Sequence, residues 1–419
     1  MNKYTLILFV IVISSYDFFF AFSHLMGFIF EGSEESPVFI FYNIILFALT
    51  ILIFLYHSFF KNEKYRRIDI FLVFIPVLGT IAYLISLLFL RATSGVQTRY
   101  IYFMLWSVPA ILIGILLAKK DYFKKASAFF ELMMWGLSLG SLRAMIETFQ
   151  TGSVQGIGGA TYQDNAYIAA FAFGLNLFFV MNRSDFLSAK INRKKSYQIL
   201  TTILLPFQAI AVLLSGGRGG AVLLVVYLAY ALWDKRKHLT VRKILIGFLV
   251  IIAVSLVTWF AHFMLRDNEL FIRSFNRAFA FITTDGIDWA RTSERDRVYA
   301  DMIALIRRSP LFGYGIFGMW RYSALPHNFF LEVLIQGGVV YLLMIFAFLA
   351  YIFAKLYKII KIDASFKLIL VLGLYPLTFL MFSGSYMTSS IFWFCSAFII
   401  SYSKAGKSNR RFMIEWKKE

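Results

Sequence analysis

In the stretch "SALPHNFFLEVLIQGG", residues 323–338, one histidine stands between a proline and an asparagine, where a polar, arginine-bearing segment turns into an apolar run. An imidazole changes charge near neutral pH, so His327 can take a proton from a hydroxyl. Pro326 restricts Leu325 and fixes the chain as it meets the apolar run. Asn328 and Glu332, the latter about one helical turn further on, are placed to orient the ring. A histidine at a helix start also serves as a cap or an interface anchor, and both readings stay open at this point. The second chemical group is arginine. Segment 263–328 carries Arg266, Arg273, Arg277, Arg291, Arg295, Arg297, Arg307, Arg308 and Arg321 but no lysine. A guanidinium is a planar fork that holds phosphate through two hydrogen bonds, which suits phosphate recognition at a membrane surface. The alternative is a solvated loop that pairs these arginines with Asp267, Glu269, Asp285, Asp288, Glu294, Asp296 and Asp301.

Arg295 has the most specific setting. In "TSERDRVYADMIALIRRSPLFGYG", Ser293 and Asp296 have capping-box spacing, and Val298, Met302, Leu305 and Ile306 form an apolar stripe that ends at Ser309-Pro310. This predicts an amphipathic helix with Arg295 in its first turn. A cation at the positive end of a helix is unfavourable unless an anion lies nearby; the anion is a ligand, or Glu294 and Asp296. In "LLSGGRGGAVLL", residues 213–224, four glycines surround Arg218 between two apolar runs. Glycines let backbone approach a ligand, while a tight turn with a snorkelling arginine gives the same pattern. The Lys-Ser/Thr ending of a nucleotide phosphate loop is absent. His24, His57, His238 and His262 form no cluster, and Asp285-Gly286-Ile287-Asp288 is the nearest approach to a paired-acid site, so no metal and no other cofactor is expected.

These residues need a frame to hold them. Of 419 residues, 60% are hydrophobic, 19% aromatic and 16% charged, and the mean hydropathy is +0.71. That composition belongs to an all-α, polytopic membrane protein and excludes a soluble domain. Cys395 is the only cysteine, so neither an internal disulfide nor a cysteine-ligated zinc is available. Apolar runs near 5–22, 38–60, 68–90, 101–118, 126–148, 166–182, 197–214, 221–233, 244–262, 329–354, 368–382 and 387–402 predict about twelve spans. The first reads as an uncleaved signal anchor.

The net charge of +19 lies in short clusters between runs and reads as topology, not as a nucleic-acid surface. Basic connections at 61–67, 119–125, 182–195, 234–243 and 355–367, with the C-terminal tail, are assigned to the cytoplasm, as are both termini. Connections at 31–36, 91–99, 150–165, 215–220, 263–328 and 383–387 then face outward, His327 among them. One integral membrane domain over 1–419, with an outer loop at 263–328, is expected.

Three motifs then fall in one order on one side: "LSGGRGG", "SERDRVYADMIALIRRSPLFGYG" and "PHNFFLEVLIQGGVVYLLM". Over residues 210–345 they resemble the O-antigen polymerase and O-antigen ligase family: an Arg at the outer end of a span, an Arg ahead of a Pro-x-x-Gly-x-Gly turn, and a His-Asn opening the next span. The matching positions are Arg218, Arg295 with Pro310, Gly313 and Gly315, and His327-Asn328. Tyr299 stands where the family often has an aromatic. The resemblance implies a multi-span, all-helical glycosyltransferase of the bacterial cytoplasmic (inner) membrane. Its donor glycan is carried on undecaprenyl diphosphate, its acceptor is a second glycan, and membrane lipid surrounds it. It implies that Arg218 and Arg295 hold the diphosphate and that His327 acts on the acceptor hydroxyl. Asn328, Tyr299, Glu332, Arg291, Arg321 and Gln163 are expected to contact substrate. A polymerase, the more numerous branch, and a ligase passing finished polymer to lipid A core or protein both fit. A chain-length regulator and a flippase of the same pathway are expected partners. A flippase or transporter is a third reading, which would call for ionisable residues near the midplane; Asp17, Glu131, Arg143 and Glu147 lie toward the ends of their runs.

Overall fold

Hydrocarbon offers no water to satisfy a free backbone N–H or C=O, so apolar runs of this length fold as helices that close their own bonds. The computed structural model describes the chain except residues 32, 62–64, 91–93, 120–121, 183–193, 237–251, 253–255, 257–258, 261–262, 265, 268–281, 284–285, 288–294, 318–325 and 404–419, with side chains also excepted at 33, 89–90, 94, 282–283, 286–287 and 295–296. The helices are α1 (Lys3–Ile13), α2 (Ser15–Met26), α3 (Pro37–Phe59), α4 (Arg67–Leu90), α5 (Ser94–Tyr102), α6 (Val108–Leu117), α7 (Tyr122–Thr151), α8 (Tyr162–Met181), α9 (Lys195–Leu214), α10 (Arg218–Lys235), α11 (Arg295–Arg308), α12 (Phe329–Ile362), α13 (Lys367–Phe382) and α14 (Ser390–Ser401). Paired strands among the described residues are confined to Ile282–Thr283 against Gly286–Ile287. The protein is an all-α, multi-pass membrane protein.

Seven of the described helices are long and apolar enough to cross a membrane, or eight if α1 and α2 form one broken span. The sequence leads to about twelve, and the reasons for the difference are local. Charged and small polar residues dilute α7, and Arg218, Asp234 and Lys235 fall inside the 18 residues of α10. The last run shortens to the 12 residues of α14, which rise only about 18 Å. Most of the run at 244–262 lies outside the described residues. The first run breaks at Ser14, where α1 and α2 meet at 98°. Asp17 therefore stands beside a break inside the run, not at its end.

Helix α8 is the hub. Gly174 packs on the Tyr227 ring of α10, and Gly220 of α10 packs on the Ala166 backbone, approaches that a Cβ would block. Polar bonds tie the same layer: Asn176 Nδ2 donates to Thr201 O and to Gln208 Oε1 at 2.9 Å, and Gln208 Nε2 donates to Ser138 Oγ at 2.7 Å, joining α7, α8 and α9. Helices α3 and α4 are largely exposed and apolar, the surface expected to face lipid.

The connections sort to two ends. At one, Lys124 pairs with Asp363 at 2.5 Å, Lys367 with Asp234 at 2.7 Å, and Lys355 Nζ donates to Ile400 O at 2.7 Å. Asp363 also caps the turn before α13 through Ser365 N at 2.9 Å. Partial burial pushes its carboxyl up, but the Lys124 ammonium and the Ser365 N–H outweigh that and hold it below the usual aspartate range. A depressed value stabilises the fold above the ordinary aspartate pKa of about 4 and is lost as pH falls through the depressed value. Asp363→Asn keeps a cap acceptor but removes the charge that pairs with Lys124, and is expected to lower the melting temperature in detergent at neutral pH through loss of roughly 0.2–1 kcal/mol of ion pairing. The gap from wild type closes in acid, and an equal gap across the titration contradicts this assignment.

Candidate active site

At the other end a cavity of about 310 Å³ opens where the lysine-poor connections meet. Its wall takes Ser15 and Asp17 from α2, Glu34, Arg99 of α5, Thr161, Gln163 and Asp164 at the start of α8, His327, and Ser383 to Ser390 before α14. Five of the six connections read as outward-facing thus contribute to one cavity, and the sixth, 215–220, packs through Gly217 on the backbone of Gln163. Asp17, 4% exposed, accepts from Tyr375 Oη at 2.7 Å. Asp164 and Thr161 form a capping box, with Thr161 N to Asp164 Oδ2 at 2.9 Å and Asp164 N to Thr161 Oγ1 at 3.3 Å. Arg99 lies 3.9 Å from Glu34.

His327 holds φ at +51°, and it alone among the described non-glycine residues takes a positive φ. That conformation costs roughly 1–3 kcal/mol and persists only where the surroundings impose it. The surroundings are Pro326, buried on one side, and Asn328 on the other, whose Oδ1 accepts from Phe330 N at 3.0 Å and Leu331 N at 3.2 Å to cap α12. The ring is lifted into the cavity wall while its helix start is fixed. Asn328 and Glu332, expected to orient the ring or touch substrate, also make structural bonds. Glu332, 1% exposed, accepts from Ser385 Oγ and, at 3.2 Å, from Gln336 Nε2. Gln336 in turn accepts from Tyr386 Oη. This chain anchors the first two turns of α12 to the Ser383–Ser390 wall of the cavity.

Further along, α12 is broken at Gly338, with φ +63° and ψ −162°. A continuous helix would bond Val339 N to Ile335 O and Val340 N to Gln336 O. Here Ile335 O accepts from Tyr314 N at 2.8 Å and Gln336 O from Gly315 N at 2.7 Å, while Val339 N donates to Pro310 O at 2.8 Å and Val340 N to Leu311 O at 3.3 Å. The Pro310–Gly315 turn therefore satisfies the groups that the break releases. Gly313, at φ +60°, and Gly338 sit where a Cβ would strike the opposite backbone. Helix α11 leads into this turn and packs Met302 on Ile335, with Val298 and Ile306 beside them. The predicted amphipathic stripe thus faces α12.

Of the arginines, Arg218 is the first residue of α10, half-buried, with Gly217 on Gln163 and Gly219 on the Tyr167 hydroxyl. Arg295 is the first residue of α11, its side chain outside what is described, and Tyr299 is half-buried one turn later. Arg291 and Arg321 lie outside the described residues. Sequence reasoning missed Arg99, which ends the plain-looking "RATSGVQTR", and Asp17, a carboxylate inside an apolar run and for that reason a detectable signal. Among the described residues no group of three or more His, Cys, Asp or Glu is placed to hold a metal ion.

Residues 201–346, which include Arg218, Arg295 and His327, match the model of the O-antigen ligase family. That match supports a place in the O-antigen ligase and polymerase family. No curated protein and no solved structure matches it. The match supports an activity of the O-antigen ligase or polymerase type, and the matched family suggests lipid-linked glycans as substrates.

Two substitutions separate support from chemistry. Gly338→Ala is expected to unseat the Pro310–Gly315 turn and destabilise the protein by more than the roughly 1–3 kcal/mol of a strained φ alone, measured as a fall in melting temperature. His327→Gly relieves the backbone strain, so the melting temperature is expected to hold or rise while glycan transfer is lost. A large fall in stability with His327→Gly would instead make the residue structural.

Proposed function

We propose that the protein is a surface-polysaccharide polymerase, of O-antigen or of capsule and exopolysaccharide type, that joins undecaprenyl-diphosphate-linked repeat units by inverting glycosyl transfer at the outer face of the cytoplasmic membrane. The observation that carries this is His327, held in a strained conformation on the wall of a polar cavity whose other walls are the lysine-poor connections. The positive-inside rule supports placing that end outside, and the Lys124, Lys355 and Lys367 end with both termini inside.

In this reading the acceptor hydroxyl oxygen attacks the anomeric carbon as the bond from that carbon to the diphosphate oxygen breaks. The bonding pair leaves with the diphosphate, and the hydroxyl proton passes to the imidazole of His327. Arg218 and Arg295, each at a helix N-terminus, hold the diphosphate and stabilise the charge that grows on it. Attack opposite the leaving group inverts the anomeric centre. Tyr299 and Gln163 are substrate contacts in the same scheme, with Arg291 and Arg321 on the loop at 263–328; Asn328 and Glu332 support it through α12. The polymerase is adopted as the broader branch of the family resemblance. The same geometry serves a ligase, for which the acceptor is lipid A core or protein.

The test is the size distribution of lipid-linked and surface glycans in cells lacking the gene, complemented with wild type or His327→Ala. Both the null and the mutant are expected to stop at one repeat unit, with transfer reduced by at least the ~10²-fold typical of a lost general base. Full-length polymer retained on its lipid carrier identifies a ligase instead. A wild-type profile from His327→Ala removes His327 from the chemistry.

A further inference from the structure

The lysine-bearing end of the bundle, opposite the His327 cavity, holds a cavity of about 420 Å³ between the last turn of α10 and the neighbouring parts of α12 and α13. Its mouth carries Trp233 and Asp234 of α10, Arg236 just past that helix, Tyr357 of α12 and Lys367, the first residue of α13. Its inner part is apolar, with Phe353, Leu356, Ile360 and Leu370. Trp233 and Tyr357 are both exposed. Aromatic rings with a polar edge settle where hydrocarbon meets the headgroups, which sets the mouth at that depth and the inner part within the hydrocarbon.

The apolar part continues as a groove over Leu349, Ile352, Gly373 and Cys395, and Phe353, Leu356 and Leu370 line both. From Ile360 to Leu349 it follows α12 for about 17 Å. That is a little over half of the roughly 30 Å hydrocarbon core, the depth that one leaflet's acyl chain fills. No backbone contact requires the gap: a Cβ on Gly373 would meet no neighbouring element nearer than Cys395 Sγ at 4.0 Å.

The mouth has cations to spare. Lys367 Nζ gives one of its three N–H groups to Asp234 Oδ1 at 2.7 Å, and Lys235 lies 3.8 Å from Asp234 Oδ2. Asp234 is thereby shared by two ammonium groups. The Arg236 guanidinium lies 4.9 Å from the centre of the Trp233 ring, with no carboxylate paired to it among the described residues. The rest of the sequence at this end does not reverse the balance. The connections at 61–67, 119–125, 182–195, 234–243 and 355–367 and the tail each hold more Lys and Arg than Asp and Glu, and residues 237–251 hold no acid at all. A guanidinium fork and an ammonium at the lip of an apolar groove suit a phosphodiester with hydrocarbon chains beneath it. A headgroup bearing its own ammonium would meet the same excess of cations, so a net negative headgroup is favoured.

We propose that this groove holds one phospholipid with a net negative headgroup, its phosphate between Arg236 and Lys367 and one acyl chain along α12 from Ile360 to Leu349. Such a lipid fills the gap between α10, α12 and α13 and takes no part in the chemistry at His327. Because it binds the folded chain, it raises the melting temperature.

The full chain in detergent is titrated with phosphatidylglycerol, phosphatidylethanolamine and glycerol 3-phosphate, and followed by lipid retention in native mass spectrometry and by melting temperature. A single phosphatidylglycerol is expected to be retained and to stabilise the chain, phosphatidylethanolamine to bind about fivefold more weakly, and glycerol 3-phosphate, a phosphate without chains, to give no shift. Arg236→Gln is expected to weaken phosphatidylglycerol about fivefold, the loss of one cation at a phosphate. Gly373→Leu fills the groove and is expected to weaken both lipids. Both variants are expected to keep the lipid-free melting temperature of wild type, and Lys61→Gln, outside the groove, to bind lipid as wild type does. The proposal is overturned if no phosphatidylglycerol is retained, if phosphatidylethanolamine binds equally well, or if glycerol 3-phosphate stabilises to the same extent. It is also overturned if Lys61→Gln weakens the lipid as much as Arg236→Gln, which marks diffuse surface charge, or if Gly373→Leu binds as wild type does, which leaves the groove to another occupant.

Discussion

A break in a membrane helix releases backbone donors and acceptors that hydrocarbon cannot satisfy, at several kcal/mol for each group left bare. In α12 the break at Gly338 is repaired from outside the helix. The Pro310–Gly315 turn supplies two N–H groups to the freed carbonyls and two carbonyls to the freed N–H groups. Every other feature of the site leans on that exchange. It fixes where α11 ends and how its Met302 meets Ile335, and it sets the direction of the first turns of α12. Those turns are then tied to the opposite wall through Glu332, Ser385, Gln336 and Tyr386, so the strained His327 at their head has little freedom to relax.

The second organising force is the separation of charge between the two ends of the bundle. Lysines gather with Asp234, Asp363 and the carbonyls that end α14, where their ammonium groups find partners without entering the apolar layer. The lysine-poor end is left with carboxylates, hydroxyls and arginines around a cavity. Such an arrangement suits a lipid-linked glycan, with its tail in the bilayer and its sugars in water. Arginines stand at the starts of α10 and α11, and the cavity interior is lined by carboxylates and hydroxyls. The broken first run serves the same end, because the bend at Ser14 brings Asp17 to the cavity floor against Tyr375.

The sequence made the helical class, the two charge classes of connection and the helix at 295–308 legible, because hydropathy and 3.6-residue periodicity are local properties. It also singled out His327, Arg218 and Arg295 in order. What it hid depends on distant partners. "IQGG" and "PLFGYG" each announce glycine-dependent backbone, but neither says that one repairs the other. Proximity in sequence set Asn328 and Glu332 beside the imidazole but did not show their longer-range bonds. Helix geometry gives Asn328 to the cap and turns Glu332 toward Ser385, some fifty residues later in the chain. Arg99 and Trp106 carried no motif at all, and only the packing of α5 and the following turn against the Glu34 segment brings them to the cavity.

The central claim is that the connections around His327 form one site open to the outside of the membrane. It is tested most directly by replacing Cys395 with serine and placing single cysteines at Gln163 and Ser383 on the cavity wall, with one at Lys61 as the control. Intact cells are then treated with a thiol reagent that cannot cross the membrane. The account predicts labelling at the first two positions in intact cells and at Lys61 only after permeabilisation. Labelling in the reverse order would place the cavity on the cytoplasmic side and contradict it.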